Sequence, residues 1–288
     1  MLIAKRIVCL ALGLMLIQGC STQPARVTTA AKPSKPAKSK PKRYLDIPLD
    51  TAVSSGIRFP KSSRSVDQVL DAFAPAALEQ LQPWFIKAGV PYPPAEIILI
   101  AIKDEKKLEL WARDSGPYKL IRHYGIKAAS GMRGPKLKQG DRQVPEGIYH
   151  ISRLNPNSNY HLSMKVDYPN QFDRDHAIDD GRTDLGGDIF IHGKAVSAGC
   201  LAMGDAAIEE LFVLSAQVGT ENIRVIIAPS DPRLRPLDTT HPSLPLWTTE
   251  LYEEITREIF SVTRAKPPVK LARSGTYRPA NLDAYGLK

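Results

Sequence analysis

The sequence places three residue types used in nucleophilic catalysis within nine residues: His192, Ser197 and Cys200. The apolar run Ile189–Ile191 before them predicts a strand, and the pattern from Asp205 onward predicts a helix. A short connection between a strand and a helix holds side chains and backbone N–H groups in fixed places, as nucleophilic catalysis requires. We therefore interpret Cys200 as a nucleophile and His192 as its general base.

Two glycines in this connection, Gly193 and Gly199, allow tight turns, and Gly199 lets a carbonyl substrate approach the backbone closely. The backbone amides of Gly199 and Cys200 are the predicted oxyanion site, and Ser197 is predicted to orient His192. A neighbouring imidazole makes the thiolate accessible, and a helix start favours it further. The chemistry that follows is acyl transfer through a thioester: attack on an amide carbonyl, loss of an amine, and release by a second amine or by water.

Metal binding and an inert buried thiol are the alternative interpretations of Cys200. Zinc sites use three or four protein ligands, and no CxxC or HxxxH partner accompanies His192 and Cys200. A lone cysteine is more often a small buried hydrophobe, but its neighbours here favour chemistry. We predict no metal site and no cofactor. The histidines outside this connection are scattered, and each of these is more typical of a surface or structural position: His123, His150, His161 and His176.

The N-terminus has the pattern of an export signal. Two basic residues precede the apolar run Ile7–Ile17, which is too short for a stable membrane span. The run ends in IQGC, which resembles a bacterial lipoprotein lipobox and implies cleavage after residue 19 and acylation of Cys20. Because Ser21 rather than aspartate follows, the resemblance implies sorting to the outer membrane; an uncleaved or ordinarily cleaved signal is the alternative. We predict a periplasm-facing lipoprotein of the cell envelope, held to the membrane by an N-terminal lipid anchor.

Cysteine usage supports a reactive role for Cys200. The chain has three cysteines, of which Cys9 lies in the signal and Cys20 at the lipobox. Cys200 is therefore the only thiol expected to remain free after processing. Cysteines in an oxidising, exported compartment normally pair, so an unpaired one is a liability unless it is inert or used in chemistry.

The positive net charge of +9 resides in the N-terminal segment. Nine of the 39 basic residues precede residue 44, which leaves 30 against the 30 acidic residues of the remainder. Residues 20–44 are rich in Ala, Pro, Thr, Ser and Lys and cannot bury a core, so we predict a disordered basic tether. The positive charges of the tether could bind anionic lipid headgroups or wall polymers; the alternative is that they only keep the tether solvated. The near-neutral remainder and the export signal exclude nucleic acid as a partner.

The rest of the chain predicts a mainly β domain with flanking helices. Ser65 and Gln68 form a capping box for one or two helices that end at Gly89, with a break or restart at Pro75. Short apolar runs separated by turns then predict a mostly antiparallel sheet or small barrel. The polar segment 155–188 is predicted to be a lid or substrate wall. We expect strands at 97–102, 108–111, 118–126, 148–151, 160–164 and 222–228, and a C-terminal helix with Leu251, Ile255, Ile259 and Val262 on its apolar face.

The site residues carry a resemblance to a known family. Ile191-His192-Gly193 and the run SAGCLAM from Ser197 to Met203 resemble the signature of the L,D-transpeptidase catalytic domain. The turn Val144–Gly147 and the stretch Asp167–Asn170 are also similar to that family. The resemblance covers about residues 95–228. It implies a β-sandwich-like fold with a long lid segment and with the nucleophile at a strand–loop–helix junction.

The resemblance also implies a substrate and roles for the site residues. The substrate class is the peptidoglycan stem peptide, with Cys200 as nucleophile and His192 as base. Ser197, Gly199 and Gly193 are expected to support them. Two residues of the lid segment are predicted to contact the substrate: Tyr168 and Arg182.

Two positions depart from the family pattern. Ala198 and Ala202 stand where most cross-linking members carry a histidine before the Gly-Cys pair and an arginine two residues after the cysteine. With the short loop from His192 to Cys200, they resemble the subgroup acting on the bond between peptidoglycan and covalently attached lipoprotein, some of whose members hydrolyse it.

The leading hypothesis is a cysteine acyltransferase that attacks a diaminopimelate-containing stem-peptide amide and transfers the acyl group to an amine. The alternatives are an amidase that releases covalently bound lipoprotein from peptidoglycan, and a wall-binding lipoprotein without catalysis. The predicted organisation is a signal peptide at 1–19, a lipidated tether at 20–44, a helical segment packed on the catalytic domain at 45–94, the catalytic domain at 95–229, and a Pro-rich segment with a helix at 230–288.

Overall fold

The computed structural model describes Ala52 and residues 63–265. The predicted signal peptide, the lipidation site at Cys20 and the basic tether lie outside these residues, as does the chain from residue 266 onward. No helix in the described part combines the length and the apolar character needed to cross a membrane.

The first described helix, α1 (Val66–Ala88), begins and ends where the sequence predicts. The Ser65 hydroxyl accepts a hydrogen bond from the Gln68 amide, and the Gln68 side chain accepts one from the Ser65 amide. The helix ends at Gly89, whose φ of 66° is left-handed. One continuous helix forms, so the predicted interruption at Pro75 is wrong. A buried stripe runs along α1 on both sides of this proline, and its burial offsets the lost backbone hydrogen bond.

Nine strands in the described residues form one curled sheet in the order β3-β2-β1-β9-β5-β6-β7-β8-β4. The β1–β9 and β7–β8 pairs are parallel, and the other six neighbouring pairs are antiparallel, which confirms the mostly antiparallel prediction. The strands are β1 (Glu96–Ile102), β2 (Lys107–Arg113), β3 (Lys119–Gly125), β4 (Ala128–Ala129), β5 (Gly147–Asn155), β6 (Ser163–Val166), β7 (Phe190–His192), β8 (Leu201–Ala202) and β9 (Ile223–Ala228).

The centre of the sheet is covered on both faces. Leu99 of β1 and Val225 of β9 belong to the main core, together with Phe73 of α1 and Phe212 of α3 (Asp205–Val218). The helix α4 (Thr248–Thr263) contacts β9 and β5. Because both faces are buried, β1 reads as a nearly continuous apolar run rather than an alternating one. The predicted apolar face of the C-terminal helix is buried at all four positions: Leu251, Ile255, Ile259 and Val262.

The polar segment 155–188 contains more regular structure than predicted. It carries the strand β6 and a helix, α2 (Gln171–Asp179). The sequence pattern did not predict the helix. The helix begins with a capping box in which Asn170 and Asp173 exchange backbone-to-side-chain hydrogen bonds of 3.0 Å. Only two residues of α2, Asp173 and Ala177, are buried, so its apolar periodicity is weak. The capping pair was the available signal for this helix.

Candidate active site

Three adjacent strands bring the predicted catalytic pair to one face of the sheet. In the parallel β7–β8 pair, His192 lies opposite Ala202, two residues beyond Cys200. In the antiparallel β6–β7 pair, Lys165 lies opposite Phe190. Because side chains alternate along a strand, the site face carries His192, Phe190 and Lys165, and the run into β8 brings Cys200 to the same face. The opposite face carries core side chains: Met164, Ile191 and Leu201.

His192 is buried and held in one tautomer. Its Nδ1 lies 2.6 Å from the Gly193 carbonyl oxygen. Since a carbonyl can only accept, Nδ1 carries the proton in this contact, and Nε2 of the neutral ring is left as the base. The Tyr160 ring contacts the imidazole with a centroid distance of 4.5 Å and an angle of 35° between the ring planes. Burial lowers the pKa of His192, and the hydrogen bond to Gly193 opposes that effect.

Cys200 is half-buried and is the one free cysteine among the described residues. Its Sγ donates to the Asp188 carbonyl oxygen at 3.7 Å. Burial raises the pKa of the Cys200 thiol; the backbone amide of Phe190 and the charge of Lys136 lower it, and the Asp188 carboxylate raises it. With the pKa of His192 lowered as well, the resting pair is a neutral thiol and a neutral imidazole rather than an ion pair.

The backbone amides beside the nucleophile are already hydrogen-bonded to hydroxyls. The Gly199 amide donates to Ser130 Oγ at 2.6 Å, and the Cys200 amide donates to Ser197 Oγ at 3.2 Å. The predicted oxyanion role of these amides therefore does not fit this conformation, because an oxyanion reaches them only by displacing the hydroxyls.

Ser197 contacts the nucleophile rather than the base. Its hydroxyl donates to the Cys200 carbonyl at 2.7 Å, and its only recorded side-chain contacts are with Cys200 and Ser130. No hydrogen bond between Ser197 and His192 is found in the described part of the chain, so the orienting role of Ser197 stays a prediction. The hydroxyl oxygens of Ser130 and Ser197 lie 3.1 Å apart.

The two predicted glycines are required for different reasons. Gly199 has φ +115°, a conformation that other residues rarely adopt. Gly193 has no such constraint, but a Cβ atom there would lie 2.6 Å from the Tyr160 carbonyl oxygen and 2.7 Å from Asp205 Oδ1. Gly193 therefore keeps the loop that bears Tyr160 close to the catalytic histidine.

The two residues predicted to bind substrate hold the segment 155–188 in place. Tyr168 is only 3% exposed, and its hydroxyl donates to the carbonyls of Lys136 and Leu185. Arg182 Nη1 donates to the Leu137 carbonyl at 3.0 Å, and its Nε donates to Asp180 at 3.0 Å. The burial of Tyr168 and the contacts of Arg182 favour an anchoring role, and contact of either residue with a substrate stays a prediction.

The connection between Cys200 and α3 differs from the predicted one in a detail. The short strand β8 lies between them, so Cys200 is not at the start of the helix and gains nothing from its N-terminal amides. Gly204 is the N-cap residue of α3. Asp205, where the sequence predicts the helix to begin, accepts a hydrogen bond from the Lys194 amide at 2.8 Å and so closes the loop after His192.

Sequence reasoning missed Ser130, Asp188 and Tyr160. Ser130 lies 67 residues before Ser197 in the chain, and no local pattern links the two. The signals for Asp188 and Tyr160 were stronger: Asp188 lies two residues before the strand that carries His192, and Tyr160 is an aromatic residue in a polar loop. No cluster of three or more potential metal ligands is found among the described residues.

Comparison with known proteins finds one family that part of this chain matches. The YkuD family, described as the L,D-transpeptidase catalytic domain, matches residues 95–227. YafK from Escherichia coli K12, itself named an L,D-transpeptidase only provisionally, is 38% identical over 132 residues, or 44% of this chain and 51% of YafK. YafK from Escherichia coli O157:H7 gives the same values. The chain thus spans about half the length of the curated relatives it matches.

Two solved structures give weaker likenesses. The helical cell shape determining protein Pgp2 from Campylobacter jejuni has a TM-score of 0.39 at 23% identity, with 53% of this chain and 56% of that one covered. L,D-transpeptidase 1 from Mycobacterium tuberculosis has a TM-score of 0.28 at 12% identity, with 46% and 62% covered. The family model matches residues 95–227, a little under half of the chain, so the likeness to the L,D-transpeptidase catalytic domain applies to that part.

Proposed function

We propose that the protein is a cysteine acyltransferase acting on peptidoglycan stem peptides, the substrates of the L,D-transpeptidase family. The observation that carries the proposal is the register of β6, β7 and β8, which brings His192 and Cys200 to one face of the sheet within the matched domain. The Nδ1 contact with Gly193 leaves Nε2 of His192 free to accept the thiol proton.

The proposed reaction begins from the neutral pair. The Cys200 thiol turns from the Asp188 carbonyl toward His192 and transfers its proton to Nε2 as the sulfur attacks the amide carbonyl of a diaminopimelate-containing stem peptide. A carbon–sulfur bond forms and the carbon–nitrogen bond breaks. The imidazolium returns the proton to the departing amine, and the acyl group remains on Cys200 as a thioester. An incoming amine then attacks the thioester carbonyl. A carbon–nitrogen bond forms, the carbon–sulfur bond breaks, and a proton of the amine returns through His192 to the Cys200 sulfur.

Water as the acceptor gives the alternative activity, an amidase that releases covalently bound lipoprotein from peptidoglycan. The observation that favours it is the pair of alanines at 198 and 202, where cross-linking members carry histidine and arginine. Ala202 lies directly opposite His192 in the strand pairing and is fully buried. That position therefore contributes neither charge nor hydrogen-bonding capacity to the selection of an acceptor amine.

The proposed place of action is the periplasmic side of the cell envelope, with anchoring to the outer membrane through an acylated Cys20. The lipobox-like run and the basic segment that follows it support this proposal. Mass spectrometry of the mature N-terminus from an expressing bacterium tests it. A diacylglyceryl-modified Cys20 is expected; a chain that begins elsewhere contradicts the anchor.

Mass spectrometry of muropeptide products tests the activity. The full chain is incubated with tetrapeptide muropeptides and with lipoprotein-linked muropeptides. A new amide indicates transpeptidation, a gain of water indicates hydrolysis, and either requires a thioester on Cys200. Cys200→Ala is expected to abolish both products and His192→Gln to reduce them at least about 100-fold. Undiminished turnover by Cys200→Ala contradicts the proposal.

A wall-binding lipoprotein without catalysis is the remaining alternative. It predicts that Cys200→Ala binds purified sacculi as well as the parent protein does, and that no muropeptide yields a thioester. Binding without a thioester in the presence of both substrates would favour this alternative over the acyltransferase.

A further inference from the structure

Asp188 contacts the proposed nucleophile through its backbone and carries an exposed carboxylate. The Asp188 carbonyl accepts the hydrogen bond from Cys200 Sγ at 3.7 Å, so this residue is in direct contact with the thiol. Its side chain is 84% exposed and therefore reachable by a ligand. A negative charge here disfavours the thiolate, because it is one of the causes that raise the pKa of Cys200. Such a charge opposes activation of the nucleophile unless a cation compensates for it.

The backbone holds Asp188 in a conformation that tolerates few residue types. Its φ is +51°, in the left-handed region where asparagine and aspartate are the usual residues besides glycine. Asparagine would adopt the same backbone conformation without adding a charge beside the thiol. The backbone thus explains a short polar residue at 188, but it does not explain the carboxylate.

The Asp188 carboxylate already forms an ion pair with a lysine of the protein. Lys165 Nζ lies 3.0 Å from Asp188 Oδ1, and it lies 5.9 Å from the centroid of the Phe190 ring on the same face of the sheet. Lys165 is 30% exposed at its side chain. An ion pair at the protein surface is weak because water screens its charges, so a ligand ammonium can exchange with Lys165.

We propose that the Asp188 carboxylate is the binding group for the primary alkylammonium of the amine that leaves from, or enters at, the Cys200 thioester. This amine displaces Lys165 from the Asp188 carboxylate. Because Lys165 presents an ammonium group on a flexible aliphatic chain, it indicates the class of ligand that the carboxylate binds. The proposal rests on the proposed function and deepens it, because it assigns the amine side of the reaction to Asp188 and names lysine-like amines as the preferred partners.

The proton balance is the same in both directions. When an amide is cleaved, the released amine takes the thiol proton through His192, then a second proton from solvent, and is held at Asp188 as ammonium. In the reverse direction the bound ammonium loses one proton to solvent and attacks the thioester carbonyl. A carbon–nitrogen bond forms, the carbon–sulfur bond breaks, and the extra proton of the nitrogen returns through His192 to the Cys200 sulfur.

Release of the acyl group from Cys200 by two nucleophiles tests the proposal. Nα-acetyl-lysine methylamide is a primary ammonium at neutral pH, whereas hydroxylamine is mostly uncharged. Asp188→Asn is expected to reduce release by the lysine derivative about fivefold relative to release by hydroxylamine, because any effect of the charge on the Cys200 sulfur is common to both nucleophiles. Lys165→Met is expected to increase release by the lysine derivative, because the internal competitor is gone. Asp114→Asn, an exposed position after β2 near the far edge of the sheet, is the charge-matched control and should match the parent.

A second measurement does not require turnover. Nα-acetyl-lysine methylamide is expected to slow alkylation of Cys200 by iodoacetamide in the parent and more strongly in Lys165→Met, but not in Asp188→Asn. Protection by the lysine derivative without thioester formation from any muropeptide would contradict the proposed function while supporting the ammonium site. Two results would overturn the ammonium site alone while thioester formation stays normal. In the first, Asp188→Asn slows acyl release by both nucleophiles equally; in the second, it slows release by neither.

Discussion

At the scale of single residues, the protonation state of the catalytic pair decides how the nucleophile is activated. Cys200 and His192 are both shifted toward their neutral forms by burial. No hydrogen bond between them is recorded, although both lie in the described part of the chain. Activation thus depends on proton transfer when the substrate is bound rather than on a preformed thiolate.

The pH dependence of thiol alkylation tests this interpretation. Because the pKa of Cys200 is raised, the thiolate fraction at neutral pH is smaller than for an ordinary cysteine. We expect the rate of reaction with iodoacetamide to rise with pH to a midpoint above that of the urea-unfolded protein. A midpoint below that of the unfolded protein would indicate a preformed ion pair and contradict the neutral resting state.

Ser130 is the second residue whose role can be isolated. Its hydroxyl binds both the Gly199 amide and Ser197, so Ser130→Ala frees the loop that carries Cys200. We expect kcat to fall about tenfold with little change in KM, and Ser130→Thr to restore most of the loss.

The split between kcat and KM separates positioning by Ser130 from a merely structural role. Thermal unfolding of Ser130→Ala provides the control for folding. An increase in kcat would instead show that the Ser130 hydroxyl competes with the substrate oxyanion for the Gly199 amide, which contradicts the positioning role.

At the scale of elements, the segment 155–188 is an anchored wall rather than a loose lid. The Trp247 ring stacks on His176 of α2 at 4.7 Å, and its Nε1 donates to Asp180 at 2.9 Å. Arg182 joins the same segment to the loop that contains Leu137. Packing and hydrogen bonds on two sides therefore fix the wall that ends at Asp188, next to the nucleophile.

A buried carboxyl group makes α2 sensitive to pH. Burial raises the pKa of Asp173 to about 6, from an ordinary value of 3.8, against the hydrogen bonds from Asn170 and Tyr149. The folded state therefore binds a proton before the unfolded state does, so this group adds stability as pH falls from about 6 toward 4, and that stability is absent at pH 7.

Urea unfolding at pH 7 and at pH 4.5 measures the contribution of Asp173. The free energy of unfolding of the parent, relative to that of Asp173→Asn, is expected to rise by about 1–2 kcal/mol on acidification. Asparagine retains an oxygen for the Asn170 amide, so the capping contact is preserved as far as possible. A constant difference between the two proteins would show that the pKa of Asp173 is not raised.

At the scale of the whole molecule, α4 supports the active-site wall from outside the matched region. Glu146 is fully buried and accepts hydrogen bonds from Tyr252 of α4 at 2.7 Å and from the Gly134 amide at 2.9 Å. Lys103, at the end of β1, pairs with Glu146 at 2.8 Å. The Glu146 carboxylate thus links the central sheet, α4 and the loop after Ser130.

Glu146→Gln tests this connection. The change leaves the buried Lys103 ammonium without its counter-charge, and breaking a buried ion pair on one side costs about 3 kcal/mol. Tyr252→Phe removes one hydrogen bond and should cost about 1–2 kcal/mol. Urea unfolding measures both, and thioester formation on Cys200 reports the effect on the site. A loss for Glu146→Gln no larger than that for Tyr252→Phe would contradict the central role of this carboxylate.

The chemistry of the site and most of the elements could be predicted from local sequence. The apolar run before His192, the spacing to Cys200, the capping box at Ser65 and the alternation of the main strands are short-range patterns, because backbone geometry sets their periods. The strands β4 and β8 have two residues each, too few for any period to appear.

The tertiary structure alone decided which partners these residues have. Strand register placed Lys165 opposite Phe190 and His192 opposite Ala202, and residue types do not specify a register between distant strands. The pairing of Ser130 with Ser197 and the contact of Asp188 with the thiol are likewise products of folding. The sequence by itself therefore determined the reactive groups, whereas long-range packing decided their burial, the neutral resting state that burial favours, and the charge beside them.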